Sequence, residues 1–215
     1  MTAGVHIVAD RDNRLGTAMP DPSRPAAVQP AARPATSALI VNAVVFEIGW
    51  FACVLGAAHG LALPGVAFAA VIVIWQTARA RRRTAELQLL GIALLLGLLC
   101  DSALGASGWI VYAASPLAPL APLWILALWA LFATTLNLSL AWLQQRLVLA
   151  ALLGVAAGPL SYWGGVRLGA LQFAAPLQAV LALALVWGAL TPLLSMLAGA
   201  LSRRAARPAP SRGAA

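Results

Sequence analysis

Residues 87–106 read LQLLGIALLLGLLCDSALGA, an apolar run of membrane length. Twenty residues at about 1.5 Å each cross a hydrocarbon core of about 30 Å. Nearly every side chain is Leu, Ala, Gly, Ile or Cys, yet Asp101 lies among them. A carboxylate at the centre of such a helix costs roughly 2.5–3.5 kcal/mol. The rest of the chain must therefore supply a membrane bundle, an orientation and partners for that acid.

Composition agrees. The chain is 62% hydrophobic and 9% charged, where soluble domains carry about 25% charged residues. It reads as an integral membrane protein. All fourteen basic side chains are Arg, and Ala is abundant, which points to a GC-rich bacterial source. The net charge of +8 does not indicate nucleic acid, because the Arg residues sit between apolar runs. There they act as topology signals and as contacts for anionic lipid heads. Cys53 and Cys100 both lie inside apolar runs and read as small packing residues. No phosphate-binding loop, zinc signature or nucleophile elbow occurs, so no catalytic residue, cofactor or metal site is expected.

Residues 1–37 are polar and rich in Pro, Ala and Arg, without an apolar core of signal-peptide length. They are expected to form a disordered cytoplasmic tail, with Met19 as an alternative start. Six apolar spans follow, over 38–58, 63–78, 87–106, 120–142, 147–166 and 176–201. Span two is short, and Gly158-Pro159 interrupts span five. Residues 202–215 form a second, basic tail. The fold expected is all-α, a polytopic membrane bundle of six transmembrane helices.

Arginine sets the orientation. With the N-terminus inside, Arg11, Arg14, Arg24 and Arg33, then Arg79, Arg81, Arg82 and Arg83, then Arg146, and finally Arg203, Arg204, Arg207 and Arg212 all fall on the inner side. Arg167 alone falls outside. Adding or removing one span destroys this sorting, so both termini are expected in the cytoplasm. Trp75 and Trp142 then lie near the inner interface, and Trp109, Trp124 and Trp163 near the outer one. Trp50, Trp129 and Trp187 lie deeper, within the bundle.

Small residues line single helix faces: Asn42, Gly49, Cys53 and Gly56 on span one, Gly154, Gly158, Ser161 and Gly165 on span five, and Gly188, Thr191, Ser195 and Gly199 on span six. Such faces allow close backbone approach, the main source of packing energy in membranes. There is also an internal echo. LLGIALLLGLLCDSALGA from Leu89 resembles LLGVAAGPLSYWGGVRLGA from Leu152, and LALWALFATTL from Leu126 resembles LALVWGALTPL from Leu183. Low complexity accounts for much of this echo; the alternative is that spans three–four and five–six are related hairpins in one orientation.

Two intramembrane acids are the candidates for chemistry. Asp101 shares a face with Gly97 and Gly105, which implies a close helix neighbour, and it falls in the outer half of the bilayer. Its expected partner is Arg167, or Ser102 through a neutral carboxyl; a proton- or solute-binding role is the alternative. Glu47 falls near mid-depth on span one, where Asn42, Thr134, Thr135 and Asn137 are expected to satisfy it. Two acids at different depths are the minimum for a proton or cation path. His59 reads as a solvated loop residue.

Several of these pieces resemble a known family. Asn42–Phe46, Gly49–Cys53, Asp101-Ser102, Pro122–Trp124, the run Leu128–Asn137, Gly158-Pro159 and Tyr162 together resemble a bacterial family of small inner-membrane proteins, domain of unknown function 2878, over residues 38–200. The resemblance implies an inner-membrane location and no assigned activity. It also implies a link to envelope lipids, through genes placed near cyclopropane-fatty-acid-synthase-like enzymes. The family pattern places a histidine after the span-four Asn; Leu138 stands there in this chain, which removes any proton-handling role built on that histidine.

The function expected is that of a non-enzymatic inner-membrane protein that carries a small or lipid-like solute or supports a lipid-modification system. An intramembrane lipid enzyme using Asp101 or Glu47, and a structural assembly partner without ligand, are the alternatives. The partners expected are the bilayer, a small-molecule or lipid ligand, and another membrane protein.

Overall fold

The computed structural model describes residues 34–206. Of the expected tails at 1–37 and 202–215, residues 1–33, Met19 among them, and 207–215 lie outside the described residues, while 36–37 and 202–204 are helical. Six α-helices form the described chain: α1 (Thr36–Ala58), α2 (Ala62–Arg79), α3 (Arg83–Ala106), α4 (Leu123–Thr135), α5 (Leu147–Arg167) and α6 (Pro176–Arg204). Five are long and apolar enough to cross a membrane; α4 is shorter. The fold is all-α apart from a small ribbon described below.

The helices are built inside out. On α1, Ile40, Val44, Ile48, Phe51 and Leu55 face outward, while Asn42, Gly49 and Cys53 are buried. An apolar exterior over a core of small and polar residues is what lipid selects, since hydrocarbon offers no reason to bury Leu. Gly65 on α2 shows the close approach: a Cβ there would collide with the Ala52 carbonyl. α4 occupies the centre, with Trp124, Ile125, Trp129, Leu131 and Thr134 all buried, and it packs on α1, α2 and α3.

Contacts between helix ends give their directions. The Arg82 guanidinium donates to the Ser202 carbonyl, and Asn137 bonds both Glu86 and Gln144. The starts of α3 and α5 and the ends of α4 and α6 thus share one end with Arg79, Arg81–Arg83, Arg146, Arg203 and Arg204. At the opposite end lie Arg167 and the ribbon, and Ala58 at the end of α1 approaches Gly169. Successive helices therefore alternate in direction.

Span four departs most from expectation. The helix stops at Thr135, where the side chains of Thr134 and Thr135 bond back to the carbonyls of Leu131 and Phe132. The chain then turns, with the Leu138 and Leu140 amides on the Thr135 carbonyl, and runs through a 3-10 helix over Ala141–Gln145. The Leu136 carbonyl, freed by the break, accepts from Gln144 Nε2 at 2.8 Å. Non-helical backbone at membrane depth requires internal partners of this kind. Span five departs in the other direction: α5 continues through Pro159. Trp124, expected at the interface, is 1% exposed and donates to the Ala113 carbonyl. α1 begins two residues before the expected span, and α6 extends three residues past it.

The ribbon was not legible in the sequence. β1 (Ile110–Tyr112) pairs antiparallel with β2 (Leu171–Phe173). Each strand follows a helix closed by a glycine in the left-handed region, Gly108 at φ +71° and Gly169 at φ +83°, the usual way to end a helix sharply. The register is twofold symmetric about the Val111–Gln172 pair. The hydrogen bonds obey the same symmetry: Ala113 N–H to the Ala170 carbonyl at 2.9 Å matches Ala174 N–H to the Trp109 carbonyl at 3.0 Å. The offset that carries Gly108 to Gly169 also carries Asp101 to Tyr162 and Gly97 to Gly158. The sequence echo, which sets Leu89 on Leu152 and Asp101 on Gly164, runs in a different register.

The symmetry breaks at one seam. α3 packs along α6, but the equivalent α4–α5 contact is largely missing, because the α1–α2 hairpin leans on α4 instead. The open seam becomes a cavity.

Candidate functional site

Asp101 lies toward the ribbon end of α3 and is 1% exposed. Three donors from three other elements converge on it. Tyr112 of β1 donates to Oδ1 at 2.8 Å, Tyr162 of α5 donates to the same oxygen, and Trp129 of α4 donates its Nε1–H to Oδ2 at 2.7 Å. Local sequence makes each approach feasible. Gly97, one turn before Asp101, leaves room for the Trp129 ring, which a Cβ there would overlap. Gly108 turns the chain so that Tyr112 folds back over α3, its ring 3.6 Å from where a Gly105 Cβ would stand. Three N–H and O–H donors on two oxygens are the complement of a carboxylate. Burial, and then the adjacent Asp101 carboxylate, pushes the Tyr112 phenol well above its ordinary range, so it remains a donor.

The expected partners of Asp101 are not the observed ones. Arg167 lies over the Trp163 ring at 5.9 Å, and Ser102 Oγ accepts from the Ala121 amide at 2.9 Å. Arg167, at the ribbon end of α5, is not among the groups that bond the acid.

The expected Glu47 network also forms without Glu47. Asn42 donates to the Thr134 carbonyl at 3.2 Å and accepts from Ser139 Oγ at 2.6 Å. Thr134 Oγ1 accepts from Gln76 at 3.4 Å. Asn137 joins Glu86 at 2.9 Å, with Gln144 and Ser202 beside it. These bonds tie α1, α2, α3 and α6 to the broken end of α4. Glu47 lies on another face of α1, is exposed, and has no hydrogen-bond partner among the described residues.

Glu47 instead lines the cavity left at the α4–α5 seam. This space has a volume of about 690 Å³ and is bounded by α1, α4, α5 and α6. Trp129 and Trp187 stack in its wall, with centroids 4.6 Å apart and planes 13° apart, and Phe132 stands edge-on to Trp187 at 5.2 Å. Gly154 and Gly158 seat Trp187, whose carbonyl and ring a Cβ at those positions would strike. Phe46 and Trp50 complete the α1 side, with Trp50 Nε1 on Ser161 Oγ at 3.0 Å. Tyr162 and Trp129 connect the wall to Asp101 behind it. Trp187 Nε1 and Thr191 Oγ1 are buried within the wall, away from the cavity, and make no regular hydrogen bond among the described residues.

The mouth is set by Ala43 and Glu47 on α1 and by Ala157 and Leu160 on α5, all exposed. Glu47 and Ala157 each lie midway along an apolar helix. The cavity therefore opens sideways at the middle of the bundle and not at either end.

Sequence reasoning found the two acids but missed the residues that give them their surroundings. Tyr112 sits in what read as a connecting segment, and Trp129 and Trp187 read as general packing. The echo, read as Leu89 on Leu152, sets Asp101 against Gly164 and so does not mark Tyr162. Cys53 is buried with its Sγ 3.7 Å from the Gly65 carbonyl, and Cys100 stands elsewhere, unpaired. His59 is exposed, its Nδ1 2.9 Å from the Leu55 carbonyl.

Fold and site together define a membrane-type helical bundle with a laterally open, aromatic-walled cavity and a carboxylate braced behind it. The chain belongs to the family described as protein of unknown function (DUF2878), whose family model matches residues 39–193. The matched region contains Asp101, its three donors and the whole cavity. No curated protein and no solved structure matches the chain.

Proposed function

We propose that this protein crosses the bacterial inner membrane six times with both termini in the cytoplasm, and binds a small hydrophobic or lipid-like molecule that enters its cavity from the bilayer. The observation that carries this reading is the position of the cavity mouth. A site opening at mid-height between two apolar helices is reached from hydrocarbon, and only solutes that partition there arrive in quantity. The volume of about 690 Å³ falls in the range of ligand pockets, roughly 300–1,000 Å³. The walls are apolar and aromatic, with Trp129, Trp187 and Phe132 among them. The helix lengths and the clustering of Arg at one end of the bundle support the six crossings and the orientation.

A deletion strain tests this reading. Its membrane lipids under envelope stress should differ from those of the parent. Wild-type protein should restore the profile, and Ala157→Trp, which fills the mouth, should not. An unchanged lipid profile would count against the proposal.

A further inference from the structure

The cavity has one charged lining residue, Glu47, and its place suggests the chemistry of the occupant. We propose that the cavity takes an aliphatic molecule with a cationic ammonium head, held by Glu47 at the mouth. This rests on the cavity being a ligand site and adds the class of ligand.

Glu47 lies midway along α1, where a carboxylate without a partner is costly. Its expected protein partners bond one another instead, and no described residue bonds it. Arg side chains among the described residues lie at the helix ends, far from mid-height. A ligand that brings its own positive charge removes that cost. The surroundings favour an ammonium over a metal ion: no described group of three His, Cys, Asp or Glu side chains gathers there, while Phe46 and Trp50 stand beside Glu47 in the lining. Aromatic faces next to a carboxylate attract quaternary and primary ammonium groups, and the attraction grows on desolvation. The inner wall of stacked Trp129 and Trp187 then receives the chain.

The test uses purified full-length protein in phosphatidylglycerol nanodiscs and equilibrium dialysis of two labelled probes, dodecyltrimethylammonium and dodecanol. Discs holding Ala157→Trp give the background. The proposal predicts that Glu47→Gln weakens dodecyltrimethylammonium binding about tenfold or more and leaves dodecanol binding unchanged. Glu47 is exposed and makes no bond to a described residue, so this variant should fold. Equal binding of the ammonium by wild type and Glu47→Gln overturns the proposal and leaves the cavity reading standing. So does an equal loss of both probes. Binding of neither probe above the Ala157→Trp background overturns both. The source of the ammonium is read from discs containing phosphatidylethanolamine: competition with the probe assigns the site to a lipid head, and its absence to a free amphiphilic cation.

Discussion

At the scale of single residues, Asp101 binds together α3, β1, α4 and α5 through three donors. Removing it leaves two hydroxyls and an indole N–H buried without an acceptor. An orphaned donor costs about 1–3 kcal/mol in soluble cores, but hydrogen bonds within membranes average only about 0.6 kcal/mol. The lower figure governs here, so Asp101→Ala should lose about 2 kcal/mol in a reversible unfolding titration in mixed micelles. Tyr162→Phe, which keeps the ring and deletes one donor, should lose roughly 0.5–1 kcal/mol. Stability equal to wild type in Asp101→Ala would contradict the brace. The acid itself is legible from sequence, because a charge in an apolar run stands out. Its partners are not, since Tyr112, Trp129 and Tyr162 lie on elements that only folding brings together. Arg167 attracts attention as the opposite charge, yet three hydrogen bonds from nearer groups satisfy the acid without it.

At the scale of elements, glycine positions decide which helices touch. Gly97 faces the Trp129 ring, whereas Gly91, on the same helix, has nothing within 4 Å of an added Cβ. Gly91→Ala should therefore be neutral or stabilising by about 0.5–1 kcal/mol, as expected for relieving an open helical glycine. Gly97→Ala should destabilise by roughly 1–3 kcal/mol through overpacking. The same unfolding titration reads both, and equal effects would mean that α3 and α4 do not approach as described. Hydropathy locates five of the six helices closely, since runs of Leu, Ala and Val at membrane length have few alternatives. It fails at α4, where Leu136, Leu138, Leu140 and Trp142 keep the run apolar although the backbone has left the helix. Hydropathy averages side chains and is blind to the Thr134 and Thr135 bonds that end the helix, and to Gln144, which satisfies the freed carbonyl. Gly158-Pro159 misleads in the opposite sense, because a helix can continue through proline when its neighbours hold it.

At the scale of the molecule, two helix–strand units pair through the ribbon, and the α1–α2 hairpin packs on α4 where α5 does not. Arginine sorting, readable from the sequence, predicts which way the bundle sits: a periplasm-only reporter fused after Arg207 should stay silent, and one inserted after Ser115 should be active. Activity after Arg207 would refute the orientation. The cavity is a property of this scale alone. Phe46, Trp129, Tyr162 and Trp187 come from four helices, and no local pattern marks them as neighbours.

Whether this cavity holds a hydrophobic molecule drawn from the bilayer is decided by native mass spectrometry of protein released from its host membranes without added lipid. Wild type should retain a bound hydrophobic mass under activation that strips surface lipid, and Ala157→Trp should lack it. Wild type without such a mass, or both proteins carrying the same one, would mean that the cavity holds no such ligand.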